Sequence, residues 1–589
     1  MHISKLKIQN FRAIENLELT LNKGLNVLIG ENNSGKTAII DLLRLVFEES
    51  NYPRESYWKE SDFRVDLKYD KLKPIEVDII FDLDSEDNSI FEKEVAWFSE
   101  LHFVEYDNNI ESHKLGLHFR IELLEINSFK RIKRKVWGGL DEENKVSWNV
   151  LQALNSVYLS PLRDVNRDFR PNNKNLLGKL FNNTLIADNL DDDKKSKEDI
   201  ADNIENNFSA NDDWNELVDR GKQNVMVHLN EMSFNNSQDI EITFSSFEFE
   251  DIIKKLLVKI PINSDMSDDK NVKYLDIYQN GLGYNNLIYA ATTFGDILQR
   301  KTLFEENYTL FLIEEPEAHL HPQLESTFFT YLNNLVSKDF QLIVSSHSSN
   351  ITAKTNLENV IVLNNNENNI SAISIKNTLL KPEDYKFLKK FLDVTKSQLF
   401  FAKGVILVEG VTEALLIPCF AKLMGERYNL EKNGIEVVIT GTSFLHYAGL
   451  FKSNDANERL NINCATLTDG DEHKNGGKLC NRIKNLNKAE QGNFKVFYSK
   501  NTFECELFEC NENNGIIDKV FDSVHERIRK SAGDSWCSKI FLKKLESNKT
   551  KSEFAYKLLE YLDENPESDF VIPIYIQKAI KFVIGELND

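Results

Sequence analysis

One stretch decides the fold class: Leu310-Phe311-Leu312-Ile313-Glu314-Glu315-Pro316-Glu317-Ala318-His319-Leu320-His321-Pro322. Four apolar residues followed by two carboxylates predict a buried strand that ends in acids, at the edge where open α/β sheets bind their ligands. One acid can bind Mg²⁺ and the next can orient an attacking water, which suits nucleotide hydrolysis. Taken alone, the same pattern also fits a solvated strand end without a function.

A phosphate-binding loop near the N-terminus favours the first interpretation. Residues 30–37 match the pattern G-x-x-x-x-G-K-[ST] in full, after an apolar strand and before an apolar helix. Backbone N–H groups of such a loop cradle phosphates, Lys36 can reach the β- and γ-phosphates, and the Thr37 hydroxyl can bind Mg²⁺. We therefore predict ATP as a cofactor. The loop residues assigned to it, besides Lys36 and Thr37, are Gly30, Asn32, Asn33, Ser34 and Gly35.

A third segment, Gln341-Leu342-Ile343-Val344-Ser345-Ser346-His347-Ser348, predicts another buried strand that ends in a polar turn. Together the three segments resemble the ATPase heads of the ATP-binding-cassette superfamily, in the branch that includes RecF and the SMC proteins. The resemblance implies that Glu314 is the Mg²⁺-side acid, Glu315 the catalytic glutamate and His347 the γ-phosphate sensor. The glycines of 278–287 lie where the signature of that family would fall, which implies that two heads face each other across ATP.

Composition sets broad limits. A chain of 589 residues is too long for one core and predicts two or three domains. The net charge of −22 argues against a protein that coats nucleic acid electrostatically, but not against an enzyme with a local basic groove. No apolar run is long enough to span a bilayer and no signal-peptide core is apparent, so we expect a cytoplasmic protein without a membrane partner.

A second catalytic module is predicted after a helical linker around 381–400. An apolar strand, 404–408, ends in Glu409, and Gly410 allows a turn into a helix that carries Glu413. A second apolar strand, 463–468, ends in Asp469-Gly470-Asp471. Oxygen ligands gathered at parallel strand ends suit Mg²⁺ or Mn²⁺.

These elements resemble the Toprim domain of topoisomerases, primases and nucleases. Residues 501–508 and 549–555 resemble two further elements, T-h-E-x-[DE]-L and K-x-x-F-A, and the chain apart from its insertion resembles the OLD (overcoming lysogenization defect) family of ATP-dependent nucleases. The resemblance implies two divalent ions, proton transfer by Glu409 and transition-state stabilisation by Lys551, although Lys549 lies only two residues away and stays an alternative. The metal ligands that it implies are Glu409, Glu413, Asp469, Asp471 and Glu504.

The predicted organisation is an α/β chain in four parts. Residues 1–164 and 272–395 form the ATPase head, 165–271 a helical insertion that mediates dimerisation, and 396–589 a Toprim nuclease domain with a helical C-terminal part. The insertion is charged and rich in Asn, so a flexible acidic segment without a partner is the alternative.

The leading functional hypothesis is a homodimeric or larger DNA endonuclease that is regulated by nucleotide and depends on divalent metal. Family members serve in bacterial anti-phage defence, alone or beside a helicase or a reverse transcriptase. The alternative is a RecF-like or SMC-like DNA-binding ATPase of repair whose Toprim domain does not cleave, but the complete set of acids argues against an inert site. A topoisomerase would need a tyrosine nucleophile and a large gate domain, and the sequence offers no second domain of that size.

Overall fold

The computed structural model describes residues 1–49, 58–65, 72–83, 98–106, 113–126, 129–161, 169, 175–188, 197–232, 248–262, 274–304, 308–336, 340–366, 369–474, 476–525, 528–529 and 536–586. They form two compact units. The first comprises Met1–Tyr158, Leu310–Pro316 and Glu325–Asp589, and the second Leu159–Thr309 and Glu317–Leu324. The part of the predicted insertion that is described, within 165–271, lies in the second unit.

The described residues form nineteen strands, which pair into four sheets. They are β1 (His2–Phe11), β2 (Ile14–Thr20), β3 (Leu25–Gly30), β4 (Glu48–Glu49), β5 (Ile75–Asp82), β6 (Phe103–Tyr106), β7 (His113–Ile126), β8 (Phe129–Gly138), β9 (Leu154–Leu159), β10 (Lys259–Pro261), β11 (Tyr274–Asp276), β12 (Tyr308–Glu314), β13 (Gln341–Ser345), β14 (Val360–Asn366), β15 (Asn369–Ser374), β16 (Gly404–Val408), β17 (Ile435–Ile439), β18 (Asn463–Thr468) and β19 (Phe494–Tyr498).

The α-helices are likewise numbered along the chain. They are α1 (Lys36–Val46), α2 (Trp148–Ala153), α3 (Leu176–Asp188), α4 (Lys197–Ser209), α5 (Asp212–Met232), α6 (Phe249–Ile253), α7 (Leu282–Phe304), α8 (Pro322–Val336), α9 (Ser349–Lys354), α10 (Pro382–Phe391), α11 (Val411–Leu423), α12 (Phe444–Ala448), α13 (Asn481–Ala489), α14 (Phe503–Glu509), α15 (Asn514–Val524), α16 (Ser538–Asn548), α17 (Lys551–Glu564) and α18 (Ile574–Val583). In the part of the chain that the structure describes, no helix has the length and apolar character needed to cross a membrane.

An antiparallel sheet forms the N-terminal part of the first unit. Its strands run in the order β2-β1-β5-β7-β6, and β8 pairs with β7 beside this path. The alternation of apolar and polar residues in β5 puts Ile75, Val77, Ile79 and Phe81 on the buried face, as period-two strands require. Strands β1 and β2 form an antiparallel hairpin, in which Leu6 lies opposite Leu19.

A mixed sheet with a parallel centre carries the nucleotide motifs. Its order is β15-β14-β3-β13-β12-β9-β4, and β3, β13 and β12 are parallel neighbours. Every residue of β3 and β12 is buried, which explains why both read as continuous apolar runs. Parallel neighbours end at the same edge of a sheet, so the phosphate-binding loop, Glu314 and the turn at His347 meet there. The strands predicted before all three motifs are confirmed.

The sheet of the C-terminal part is fully parallel, in the order β17-β16-β18-β19. Glu409 follows β16, Asp469 follows β18 and Ser499 follows β19, so three polar residues leave one edge of this sheet. Helices α11, α14 and α17 bury their apolar faces in one core with these strands. That core fixes the helix ends that carry Glu413, Glu504 and Lys551.

A short 3₁₀ helix, Lys396–Phe401, connects the two catalytic parts of the first unit. Its Leu399 and Phe400 are buried, and the Ser397 hydroxyl donates a hydrogen bond to the carbonyl of Ser349 at 2.9 Å. Two residues beyond it, the Lys403 ammonium lies 4.0 Å from Glu31 of the phosphate-binding loop. The segment therefore contacts nucleotide-site elements directly before β16 begins.

The second unit is mainly helical. Helix α3 packs against α7, where Asn183 donates to Asp296 at 2.6 Å and Thr184 donates to Gln299 at 2.9 Å. Helix α7 begins at Leu282, within the signature-like segment 278–287. Near its start a Cβ atom on Gly283 would come within 2.4 Å of the His319 carbonyl, so this position needs glycine.

Candidate functional site

The phosphate-binding loop joins β3 to α1 in a conformation that depends on glycine. Gly30 and Gly35 have φ values of 147° and 95°. A Cβ atom at Gly30 would lie 2.2 Å from the Leu363 carbonyl, so only glycine fits. The buried Lys36 ammonium donates to the carbonyls of Gly30 and Glu31 at 2.9 and 2.7 Å, which holds the cation inside the loop.

Glu314 is linked to the loop through the first turn of α1. The Thr37 hydroxyl donates to Glu314 Oε1 at 2.5 Å, and the Tyr158 hydroxyl donates to Glu314 Oε2 at 2.7 Å. Burial and the neighbouring Glu314 carboxylate both raise the pKa of Tyr158, so its phenol stays protonated and remains a donor. The Arg44 guanidinium lies 3.6 Å from the centre of the Tyr158 ring. Hydroxyl and carboxylate thus meet where the sequence places the Mg²⁺ side of the site.

Glu315 and His347 form a second pair at the same sheet edge. Glu315 has a φ of 42°, and its N–H donates to the Ser345 carbonyl of the neighbouring strand at 2.9 Å. This left-handed conformation turns the Glu315 carboxylate toward His347 Nε2, 3.7 Å away. Burial lowers the pKa of His347 and the Lys36 charge adds to the effect, while Glu315 opposes it. The imidazole is therefore mainly neutral at neutral pH.

The turn that carries His347 is anchored by a buried acid that the sequence reasoning missed. Ser348 caps α9 by accepting from the N–H groups of Asn350 and Ile351, and its hydroxyl donates to Glu325 on α8. Asn350 also donates to Glu325, at 3.3 Å. A glutamate in the first turn of an amphipathic helix gives no sequence signal for this contact.

At the edge of the C-terminal parallel sheet, Glu409 accepts hydrogen bonds from three donors. They are the Thr468 hydroxyl, the N–H of Asp469 at 2.9 Å and the Arg482 guanidinium at 2.7 Å. The Arg482 Nη2 atom also donates to the Asp469 carbonyl at 2.8 Å. One arginine from α13 thus ties together the ends of β16 and β18.

Asp469 is the most perturbed acid of this cluster. Its Oδ1 atom accepts from the Phe503 N–H at 2.8 Å and from the Ser499 hydroxyl at 3.3 Å. Burial raises the pKa of Asp469 to about 8, and repulsion from Glu409, Glu504 and Glu413 adds to that rise. Burial likewise raises the pKa of Glu413 to about 7, with Glu504 and Glu409 contributing. These four carboxylates are close enough to repel one another.

Lys551 and Lys549 occupy different environments. The Lys551 ammonium lies 3.3 Å from Glu504, whose side chain is buried. Burial by itself would lower the pKa of Lys551, but the neighbouring carboxylates, Glu504 first and then Glu546 and Asp469, together raise it, so the cation persists. Lys549 is exposed and adopts a left-handed conformation, with a φ of 57°, at the end of α16. Lys551 is therefore the lysine that the structure brings to the acids.

Asp471 faces cations instead of the acid cluster. It lies 3.0 Å from the Lys474 ammonium and 3.6 Å from Arg482 Nη2. Its φ of 51° places it in the left-handed region, a conformation that aspartate tolerates in turns. Of the predicted metal ligands, four come together: Glu409, Glu413, Asp469 and Glu504. Asp471 is linked to them by Arg482, whose Nη2 atom contacts both Asp471 and Glu409.

The donor chemistry of the cluster suits a hard divalent cation. Its acids are all carboxylates, the ligand type that Mg²⁺ and Mn²⁺ prefer. Their mutual repulsion, seen in the raised pKa values of Asp469 and Glu413, would be relieved by a bound cation. Within the described ranges, no three Asp, Glu, His or Cys side chains already stand in a metal-binding arrangement, so side-chain adjustment would accompany binding.

Comparisons with known proteins agree with these two sites. A family model described as "AAA ATPase domain" matches residues 1–352, and one described as "Overcoming lysogenization defect protein-like, TOPRIM domain" matches residues 400–471. The chain belongs to the AAA ATPase domain family and carries an OLD-like Toprim domain. The predicted fold class and the resemblance to the OLD family are thereby confirmed.

Proteins similar to this chain include named nucleases. Endonuclease GajA of Bacillus cereus (strain HuB5-5) is 22% identical over an alignment 704 positions long, which covers 100% of both chains. The Old nuclease of Escherichia phage P2 is 22% identical over 573 residues, 91% of this chain and 92% of that protein. The solved C-terminal region of the OLD protein of Xanthomonas campestris pv. campestris is 27% identical, covers 32% of this chain and 94% of that one, and aligns with a TM-score of 0.25.

Proposed function

We propose that this OLD-type protein is a nucleotide-regulated DNA endonuclease that depends on divalent metal. The observation that carries the proposal is the cluster of Glu409, Glu413, Asp469 and Glu504 beside Lys551. Structural ion pairing alone does not account for four mutually repelling acids at a sheet edge. The names of the relatives, an endonuclease and a nuclease aligned over nearly the whole chain, support the same reaction class.

Cleavage would use the Toprim cluster. Glu409, Glu413, Asp469 and Glu504 would hold the metal, with Asp471 as a fifth candidate, and two divalent ions when bound supply water activation and leaving-group stabilisation. Glu409 would accept the proton of the attacking water. The Lys551 ammonium, held beside Glu504, would neutralise the negative charge that develops on the phosphodiester. Phe503 N–H and Ser499 would keep the Asp469 carboxylate oriented throughout.

ATP would bind at the edge formed by β3, β13 and β12. Lys36 would leave the loop carbonyls to meet the β- and γ-phosphates, while Thr37 and Glu314 would hold Mg²⁺. Glu315 would orient the attacking water. The neutral imidazole of His347, 3.7 Å from Glu315, would donate a hydrogen bond to the γ-phosphate.

The direct test of this function is incubation of the purified protein with plasmid DNA and Mg²⁺ or Mn²⁺, with and without ATP and with a chelator control. We expect nicked or linear product only where metal is present, at a rate that ATP changes. Intact plasmid under every metal and nucleotide condition would contradict the proposal. ATP hydrolysis with DNA binding but no cleavage would favour the RecF-like alternative.

We also propose a role in bacterial anti-phage defence, alone or beside a helicase or a reverse transcriptase. The proposal rests on the family resemblance and is tested by plaque formation on cells that express the protein. If cells that express the protein give as many plaques as cells that lack it, across a broad phage panel, a stand-alone role is contradicted.

We also propose self-association, because the resemblance to cassette heads implies that the glycines of 278–287 meet ATP across two facing copies. Completing an ATP site across two copies requires at least a dimer. Light scattering with and without ATP measures it, and a monomer at micromolar concentration in both conditions would contradict the composite site.

Lys551→Ala is expected to reduce DNA cleavage by about a hundredfold or more, since one stabiliser of transition-state charge is worth about 10²–10³ in rate. Lys549→Ala should leave the rate within about twofold, because Lys549 is exposed at the end of α16. Plasmid nicking rates for the matched pair decide between them. The reverse pattern would assign the role to Lys549.

Arg482→Gln is expected to destabilise the protein in chelator more than in Mg²⁺. The Arg482 guanidinium lies 2.7 Å from Glu409 Oε1, donates a hydrogen bond to it and places a positive charge beside the acids. A hydrogen bond to a charged group is worth about 1.5–3 kcal/mol. Bound metal would supply that charge in its place. Thermal unfolding in both buffers measures the decrease in Tm that the substitution causes. This decrease should be a few degrees larger in chelator than in Mg²⁺. An equal decrease in both buffers would show that Arg482 acts only on the fold.

A further inference from the structure

Strand β8 reverses the charge of the chain locally. Its sequence, Phe129-Lys130-Arg131-Ile132-Lys133-Arg134-Lys135-Val136-Trp137-Gly138, holds five cations and no carboxylate. The whole protein has 93 acidic against 71 basic residues. A run of this composition on an acidic protein calls for a local explanation.

The pairing of β8 decides where its cations point. It lies antiparallel to β7, from Phe129 opposite Ile126 to Gly138 opposite Leu117. On one face the Arg134 guanidinium packs 5.1 Å from the ring centre of Phe119, which is buried. Because side chains alternate along a strand, Arg131, Lys133 and Lys135 project from the other face, at intervals of about 6.6 Å.

The cations of this strand differ in how far they are neutralised. Lys130 pairs with Glu60, and Lys135 lies 2.5 Å from Glu142. Arg131 and Lys133 are exposed, and no carboxylate among the described residues lies within ion-pair distance of either. The nearest candidate by register, Glu122 opposite Lys133, instead pairs with Arg120 at 3.0 Å.

We infer that the outward face of β8 binds the phosphate backbone of duplex DNA, with Arg131 and Lys133 as its principal contacts. This inference rests on the proposed function, which requires a DNA surface on a chain of net charge −22. Exposed cations without carboxylate partners release counterions from DNA when they neutralise phosphates. Such contacts position a duplex without reading its sequence.

Lysine and arginine on an edge strand also prevent pairing with other strands. That role requires charge and exposure but no DNA, so a binding measurement separates the two. An acidic protein partner is likewise distinguished, because it would leave the DNA affinity of the variants unchanged.

The test is fluorescence anisotropy of a labelled 30-base-pair duplex in chelator, over a series of salt concentrations. Arg131→Gln with Lys133→Gln is compared with Lys5→Gln with Lys7→Gln. The control pair lies two residues apart on β1 of the same sheet, but Glu18 contacts both lysines, at 2.5 and 3.5 Å. Both variants lose two charges, so net charge alone cannot distinguish them.

We expect the slope of log K against log salt to become shallower by about 1.8 in the β8 variant, about 0.9 for each phosphate that is no longer neutralised. The slope of the control variant, Lys5→Gln with Lys7→Gln, should change little. The slope of Lys130→Gln with Lys135→Gln should fall between those of the β8 and control variants. Arg131→Lys with Lys133→Arg, which keeps both charges, should bind like the wild type and shows that the strand tolerates substitution.

Three outcomes would overturn the inference. If the wild type binds DNA and the β8 variant binds with the same slope, DNA contacts another surface and the proposed endonuclease function stands. If the β8 and control variants weaken equally, the effect is one of net charge. If the wild type itself binds no duplex in chelator, the β8 face does not hold DNA and the inference fails, whereas the proposed function is decided separately by plasmid cleavage with metal.

Discussion

Asp469→Asn is expected to lower DNA cleavage by more than about a hundredfold while ATP hydrolysis stays near the wild-type rate. Loss of a residue that merely supports a metal ligand costs about 10–100-fold, so loss of a ligand should cost more. Asparagine keeps the size of the side chain and an oxygen that can accept from Phe503 N–H and Ser499. The substitution therefore removes the negative charge that Asp469 would carry beside a bound metal, with little change in packing.

The measurement is plasmid nicking and phosphate release on the same preparation, with Mn²⁺ titration calorimetry as a readout that does not depend on turnover. Asp518→Asn is the matched control, since Asp518 belongs to the same domain but pairs with Arg529 at 3.1 Å. Persisting cleavage in Asp469→Asn would remove Asp469 from the metal site. Loss of both activities together would show that the two sites are tightly coupled.

Glu315→Gln should reduce ATP hydrolysis by about 10²–10³-fold and leave nucleotide binding intact. The amide cannot orient and polarise water as a carboxylate does, yet it fills the same space 3.7 Å from His347. The Thr37–Glu314 pair, assigned to Mg²⁺, is untouched. Binding of a fluorescent ATP analogue and phosphate release measure the two steps separately.

Lys36→Ala provides the contrast, because it should lose nucleotide binding as well as hydrolysis. A Glu315→Gln variant that hydrolyses ATP at the wild-type rate would place the catalytic carboxylate elsewhere. If this variant lost binding as Lys36→Ala does, Glu315 would belong to the binding machinery and not to the water-orienting step.

The local sequence pattern was sufficient to predict a strand wherever a motif directly follows that strand. The apolar runs before Gly30, Glu314 and Ser346 predicted β3, β12 and β13, since a buried parallel strand needs apolar residues on both faces. The same reasoning located β16 and β18 before Glu409 and Asp469. Parallel order then brings the acids to one edge without further information.

The supporting contacts could not be read in the same way, because they join residues far apart in the chain. Tyr158 donates to Glu314 across 156 positions, and Glu325 meets Ser348 between two helices. Arg482 lies in a polar helix whose charge pattern resembles any solvated face. Such partners depend on tertiary packing, which the local sequence pattern does not encode.

The 3₁₀ helix Lys396–Phe401 bears on how the two catalytic activities can be studied apart. A fragment that stops at 395 would lose Leu399 and Phe400, which are buried, and the Ser397 bond to Ser349, two residues after His347. A fragment that starts at 404 would lack Lys403 and its ion pair with Glu31. Point variants that silence one site in the full-length chain are therefore better suited than dissection to separate the two activities.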